Sequence, residues 1–424
     1  MPATARTELD RAIALPDAGC WGTKARAEAL ARLTSIGLPT RRDEYWKYTR
    51  PDTLTSATPT PAAIFDNSDE APIFGAVDCL RITFVDGVFD ASASDDLDMA
   101  GVSVERLASA MAHDIHWAKD LYGALETNGQ KPVTRPLAAL NSATATDGLV
   151  IHVTGQAAKP ILIRYLHQNE TSDVVLHHVI KLEANASLTV LESGPAAARL
   201  NKVMEVDLGD QANFNHIRTQ GRDHARRAVT HIFARLATES RFKSFTLTAN
   251  GVLTRNECVI ELTGNDAFAH VAGAALGDGD FLHDDTVFIT HDAQNCESRQ
   301  VFKKVLRNGA TGVFQGKILV KPGAQKTDGY QISQALLLDD DSQFLAKPEL
   351  EIYADDVACS HGSTTGAIDE TALFYLRSRG IDRTEAQDLL VLSFLAEAIA
   401  EIEEQTLADE IQARLENWLK RHRA

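Results

Sequence analysis

The sequence predicts a mainly β protein: a β-solenoid core over residues 131–365, set between a helical or mixed N-terminal region (1–130) and a helical C-terminal domain (366–424). Three observations lead there. From about residue 148 to 360, short β-type runs follow one another with turn signals between them. Within that region a small or polar turn precedes an apolar residue at a nearly constant interval. After Gly366 the texture changes to helical spacing with capping residues.

Taken in order, residues 1–50 read as helical. Thr23 to Ile36 carries Ala27, Leu30, Ala31, Leu33 and Ile36 near helical spacing, and Gly37 suits the residue after the last turn. The basic-aromatic segment Arg41-Arg-Asp-Glu-Tyr-Trp-Lys-Tyr-Thr-Arg50 follows. Residues 51–70, rich in Pro, Thr, Ala and Asp, are expected to form a linker or surface loop. Leu80-Arg-Ile-Thr-Phe-Val85 before Asp86-Gly87 predicts a short hairpin. Residues 103–128 return to helical or mixed patterning.

The β region opens with Leu149–Val153, Ile161–Tyr165 and Val174–Leu182, and a later run is Thr286–Thr290. Its repeat reads Asn185-Ala-Ser-Leu188, Gln211-Ala-Asn-Phe214, Ser240-Arg-Phe242 and Asp266-Ala-Phe268, with apolar residues at intervals of 26, 28 and 26. Each interval holds two or three short strands, about one coil of a solenoid. A β-sandwich also spaces strands regularly, but a period kept over three intervals favours stacking.

In the tail, Asp369 is placed to cap a helix running to Arg379, with Gly380 ending it. Thr384-Glu-Ala-Gln387 reads as a capping box for a second helix, carrying Leu389, Leu390, Val391, Leu392, Phe394, Leu395, Ala398, Ile399 and Ile402. That apolar surface is wider than one stripe, so covering on more than one side is expected. Thr406-Leu-Ala-Asp409 starts a third helix, running through Trp418 to Lys420-Arg-His-Arg423.

The net charge of −17 excludes a general nucleic-acid binder, which needs a basic face. No apolar run reaches the roughly 18 residues of a spanning helix. Met1–Asp10 lacks the apolar core of a secretion signal, so a cytoplasmic, reducing location is expected. The five cysteines form no Cys-x-x-Cys pair, and Cys20, Cys79, Cys258 and Cys296 are expected to be buried small hydrophobes. Thr311-Gly-Val-Phe-Gln-Gly-Lys-Ile318 lacks the first glycine and the final hydroxyl of a phosphate loop, and no Gly-x-Ser-x-Gly elbow occurs. His177 and His178 face opposite sides of an extended chain, which weakens them as a ligand pair.

The segment Tyr353-Ala-Asp-Asp-Val-Ala-Cys-Ser-His-Gly-Ser-Thr-Thr-Gly366 is the strongest chemical signal. In an extended strand Cys359 and His361 project to one face, and Gly362 lets another backbone approach. Two ligands do not close a four-coordinate metal site. The segment reads as half a site whose remainder lies on another surface. Against it stand His283-Asp-Asp285, Asp339-Asp-Asp341 and Asp355-Asp356, the acidic clusters of a carbohydrate-active parallel β-helix lyase or hydrolase. They fall at expected turns or strand ends, where Asp is common for local reasons, and 6% aromatic residues leave few platforms for a sugar.

Three blocks of this chain resemble the SufB/SufD family of iron–sulfur cluster assembly proteins. They are Arg42-Asp-Glu-Tyr-Trp-Lys-Tyr-Thr49; Ser298-Arg-Gln300 with Gly316-Lys-Ile318 and Lys326-Thr-Asp-Gly329; and Lys347 to Gly362, running on to Phe374-Tyr-Leu-Arg-Ser-Arg-Gly380. Ser360-His-Gly362 stands where the SufB branch has a Glu-His-Glu type sequence, so the SufD branch is the closer. The resemblance implies a right-handed parallel β-helix flanked by helical parts, acting as a non-catalytic scaffold. It implies a SufB-like sister subunit paired through the β-helix and a SufC-like ATPase on the C-terminal helices, in a complex of one SufB, one SufD and two SufC. It assigns His361 to the cluster-building interface as a transient ligand of an iron–sulfur cluster shared with the partner. For Cys359 both a ligand role and a structural thiol stay open. No nucleotide is expected on this chain, nor a nucleic acid or membrane partner; a reduced flavin in the complex and a homodimer in isolation stay open. From the broad apolar surface, the ATPase is expected to touch Leu389, Leu392, Phe394, Leu395 and Ile399.

Overall fold

The computed structural model describes residues 13–65, 71–221 and 224–422. The expectations for Met1–Asp10, for the end of the 51–70 loop and for Arg423 lie outside these residues. From Leu149 onward, successive strands alternate between two sheets, each ten-stranded among the described residues. Each coil therefore gives one strand to each sheet, and strands stack in parallel on the coil before, about seven turns in all. The expected solenoid is the observed one, with two strands per coil.

A backbone device sets the repeat. Asn185, Gln211, Glu239, Asp266, Asn295 and Lys326 all adopt left-handed φ values between 55° and 61°. The first five donate their N–H to the next coil at 2.8–3.0 Å, so the corners form a hydrogen-bonded ladder of their own. A small buried residue follows each corner, and the third residue on enters the interior. Register pairs Leu188 with Phe214 and Phe214 with Phe242 as the repeat predicts, but Phe242 with Ala269 and not with Phe268. Phe268 faces outward, its ring under the Arg241 guanidinium (4.3 Å) and beside His270 (4.0 Å).

One end of the solenoid is closed by antiparallel strands. Leu80–Val85 turns back through Asp86 and Gly87, both at positive φ, into Val88–Phe89, as the hairpin signal predicts. Val102–Arg106 lies antiparallel to Leu149–Val153 and closes the other sheet. The opposite end is open: Gln343–Ile352 and Val357–Gly366 each have a neighbour on one side only.

Helices cover the outer faces. The first, Cys20–Ile36, ends at Gly37 as expected, but buries Trp21, Arg26, Ala29 and Leu33, leaving Ala27 and Ala31 exposed. With Leu107, Met111 and Tyr122, Trp21 packs on Val150, Val179, Val203, Phe233 and Phe288 of one sheet. On the other sheet Ile217, Phe245, Leu247, Val301 and Val305 are covered by Val391, Leu395, Ala398, Ile411 and Leu415 of the C-terminal helices. Strands buried on both faces read as nearly continuous apolar runs, which is why simple alternation is weak here.

The three terminal helices are Glu370–Arg377, Arg383–Ile399 and Gln405–Arg421. Asp369 caps the first as expected; Asp382, not Thr384, caps the second by accepting from the N–H groups of Thr384 and Glu385. Lys303–Glu397, Arg299–Glu401 and Lys243–Glu403 ion pairs tie the second helix and the turn after it to the solenoid. Among the described residues no helix is long and apolar enough to cross a membrane.

The expectation for Cys20 is corrected as well. Cys20 is exposed, its thiol 2.9 Å from an Asp114 carboxylate oxygen, whereas Cys79, Cys258 and Cys296 are buried. His283-Asp-Asp285 lies at the start of the strand Leu282–His291, the strand-end alternative of the sequence reading, and is buried. Asp285 faces the interior and pairs with Lys304 at 2.6 Å; Asp284 faces outward and pairs with Arg255. Both carboxylates survive burial because each meets a cation.

Candidate functional site

Cys359 and His361 lie on the last strand, paired with Gly329 and Gln331 of the coil before. Following the register back gives two interior rows. One runs Leu188, Phe214, Phe242, Ala269, Ser298, Gly329, Cys359; the other runs Val190, His216, Ser244, Val271, Gln300, Gln331, His361. The first four residues of the first row belong to the solenoid core. Cys359 and His361 therefore occupy interior positions of a coil on which no further coil stacks. Side chains that would be core elsewhere are presented here at an open end.

The thiol and the imidazole differ in setting. Cys359 is half-buried against Ile318, Val320, Leu350 and Val357. A Cβ on Gly329 would stand 3.1 Å from its sulfur, so the glycine leaves the room the sulfur fills. Burial, with Asp328 adding to it, pushes the Cys359 thiol above its ordinary range against a backbone hydrogen bond from Gly329. The thiolate is the metal-binding form, so this shift disfavours it. His361 is exposed, and Gly362 beside it faces open space. The imidazole is therefore the accessible side chain of the pair.

The other singled-out blocks converge on the same end. Tyr45 donates its hydroxyl to Glu349 of the strand Gln343–Ile352, and Lys347 sits 3.9 Å above the Tyr45 ring while pairing with Glu44 at 2.6 Å. The Arg42–Thr49 segment thus fastens the N-terminal region to the open coil. Ser298 bonds His291 at 2.8 Å inside the solenoid, and Arg299 faces outward to Glu401. Lys317 pairs with Glu351 of the edge strand at 2.5 Å.

Among the described residues no three His, Cys, Asp or Glu side chains converge to hold a metal ion. Two of the acidic clusters are otherwise engaged: Asp339 accepts backbone N–H groups from Asn308, Asp341 and Ser342 at a turn, and Asp285 is neutralised by Lys304. Thr311–Ile318 is a β-strand. His177 and His178 do face opposite sides, His177 toward Asn141 and Glu205, His178 toward Tyr165.

Of the five apolar residues named on the second terminal helix, Leu395 and Ile399 are buried against the solenoid. Leu392 and Phe394 are half-covered beside them, and Leu389 is 44% exposed. The breadth of the apolar face reflects covering by the sheet and by the third helix. The sequence reading quoted Phe374 and Tyr375 only within a block of resemblance and gave them no role; on the first terminal helix they are 73% and 58% exposed. It also passed over Gln331; counting back 30 residues from His361, about one coil, would have found it.

A family model described as SUF system FeS cluster assembly, SufBD core domain, matches residues 165–394. The chain is 28% identical to iron-sulfur cluster assembly protein SufD of Escherichia coli (strain K12) over 93% of each chain. It is 27% identical to an iron-sulfur cluster assembly SufBD family protein of Synechocystis, over 89% of this chain and 86% of that one. To the SufD protein of Bacillus subtilis it is 26% identical over 69% of each.

Proposed function

The chain belongs to the SufB/SufD family, on its SufD branch, and so to iron–sulfur cluster assembly in the SUF system; on that premise we propose that it is a non-catalytic scaffold subunit contributing half of a cluster-building site. The observation that carries this reading is the placement of His361 and Cys359 at interior positions of an uncapped coil. A nascent cluster must be held and then handed on, which suits ligands divided between two surfaces better than a closed four-cysteine site.

The open end also supports a sister β-solenoid as the partner. Val357–Gly366 contains no Lys, Arg, Asp, Glu or Pro, the residues that ordinarily block an exposed edge. Its backbone is free to pair with a strand of a SufB-type subunit, which brings the missing ligands beside His361. An ATPase of the SufC type docks on the exposed side of the terminal helices, at Phe374, Tyr375 and Leu389. Its motion reaches the site through the ion pairs from Glu397, Glu401 and Glu403 to the solenoid.

Anaerobic reconstitution of the complete complex with ferrous iron and sulfide, followed by visible absorption, tests the site. His361→Ala is expected to lower cluster yield at least about tenfold, as loss of a ligand or its support does, and Cys359→Ala to lower it less. Normal yield from His361→Ala would remove the reading. Leu389→Glu combined with Phe374→Ser is expected to weaken co-purification of the ATPase by about tenfold or more, with the circular dichroism of the chain unchanged. Undiminished capture would move the docking surface elsewhere.

A further inference from the structure

Directly inside His361 the solenoid holds two carboxamides with nothing to bond. Gln331 and Gln300 occupy the same interior row as His361, one and two coils in. Both are fully buried, and all four of their side-chain nitrogen and oxygen atoms lack a hydrogen-bond partner. An orphaned buried amide is costly, because burial removes its water and nothing replaces it. Stacked glutamines in register can bond amide to amide along the row, and these do not. Leucine or valine at either position would fill the space without the penalty.

The facing sheet makes room for one of them. A Cβ on Gly316 would lie 1.7 Å from Gln331 Nε2. The Gln331 amide therefore crosses the interior and rests on the bare backbone of the opposite strand. The same device recurs one position along, where Gly329 leaves space for the Cys359 sulfur. Two glycines thus make room in the last complete coil beneath the thiol and the imidazole, Gly316 for the unpaired Gln331 amide and Gly329 for the Cys359 sulfur. The first-row residues nearby are small and polar too, with Ser298 where earlier coils carry Phe214 and Phe242.

We propose that Gln331, with Gln300 behind it, forms the inner wall of the cluster-building site and that its amide N–H groups donate to the anionic sulfur of the species held at His361 and Cys359. This rests on the reading of that site as the place where a nascent cluster is held. A neutral amide is well matched to this role, because it donates to sulfide or thiolate without adding a competing charge, and hydrogen bonds to cluster sulfurs set cluster stability and potential. Gln331 is then a positioning residue, satisfied when cargo is present and unsatisfied when it leaves.

The test uses the full-length chain in its complete complex, with ferrous iron and sodium sulfide under anaerobic conditions, read by visible absorption and circular dichroism. Gln331→Met keeps most of the volume and removes both donors. It is expected to lower cluster yield about tenfold or to shift the visible bands, in keeping with the loss of an outer hydrogen bond. At the same time the unfolding midpoint of the isolated variant should equal or exceed that of the parent, since an orphaned polar group has gone. Wild-type yield with unshifted bands from Gln331→Met, while His361→Ala fails, overturns this inference and leaves the site reading standing. Wild-type yield from both variants overturns both. Reduced yield with unshifted bands and a lowered midpoint marks a structural glutamine and overturns the inference as well.

Discussion

Replacing Glu192 by alanine is expected to destabilise the chain by roughly 3–5 kcal/mol, the cost of stranding a buried charge. Glu192 lies inside the solenoid, fully buried, and accepts from Lys202 Nζ, His216 Nε2 (2.9 Å) and the Tyr165 hydroxyl (2.6 Å). Burial alone would push its carboxyl up, but Lys202, His216 and Arg218 together outweigh it and hold it well below the usual range. Lys202 has no other carboxylate partner among the described residues, and burial already draws its ammonium down to about 8. Without Glu192 it must give up its proton or remain an unpaired charge in the core. Urea unfolding of the parent and Glu192→Ala measures the loss. A double variant, Glu192→Met with Lys202→Met, is expected to recover much of it, because an apolar pair of similar volume replaces an ion pair at little cost. A single variant as stable as the parent would show that water reaches this column.

The second large effect is acid sensitivity. Burial lowers five imidazoles, His216 and His283 among them, and holds three well below their ordinary value: His178 at about 3, His231 at about 4 and His291 at about 4. All three are neutral in the folded chain at pH 5, whereas in the unfolded chain, with values near 6.5, they take up protons. Their contribution to stability is therefore intact above about pH 6.5 and erodes as pH falls toward their folded values. At pH 5 each has given up on the order of 2 kcal/mol. Unfolding free energy is expected to drop by about 5 kcal/mol between pH 7 and pH 5, measured by urea titration at fixed ionic strength. His291→Gln, which cannot titrate, should flatten that slope. A pH-independent midpoint over this range would contradict the burial of all three.

The solenoid was legible because its corners repeat. Each coil places a left-handed residue, a small buried residue and an interior residue at fixed offsets, from Asn185-Ala186-Leu188 onward. The reading slipped by one position at Phe268, where a local apolar signal pointed to the ring while cross-strand register buries Ala269. One residue of slip exchanges the two faces of a strand, and nothing within the strand itself reveals it. The sequence placed His283 and Asp285 at a turn or strand end, but their burial was not legible from it. Their burial depends on Lys304, a neighbour in the fold 19 residues or more along the chain. On the second terminal helix the wide apolar face was visible, but which part meets the sheet was not.

The sequence by itself determined the class of this protein, its solenoid repeat and the chemical pair Cys359 and His361, because those follow from local geometry: corner conformations, strand periodicity and two side chains spaced to share a face. Only the tertiary structure decided that this pair stands at interior positions of an uncapped coil, that Gly316 and Gly329 leave room for the Gln331 amide and the Cys359 sulfur, and that two buried glutamines lie beneath it without partners. These depend on which coil lies under which. Stacking register couples residues about 30 positions apart, and it comes into being when the coils close upon one another.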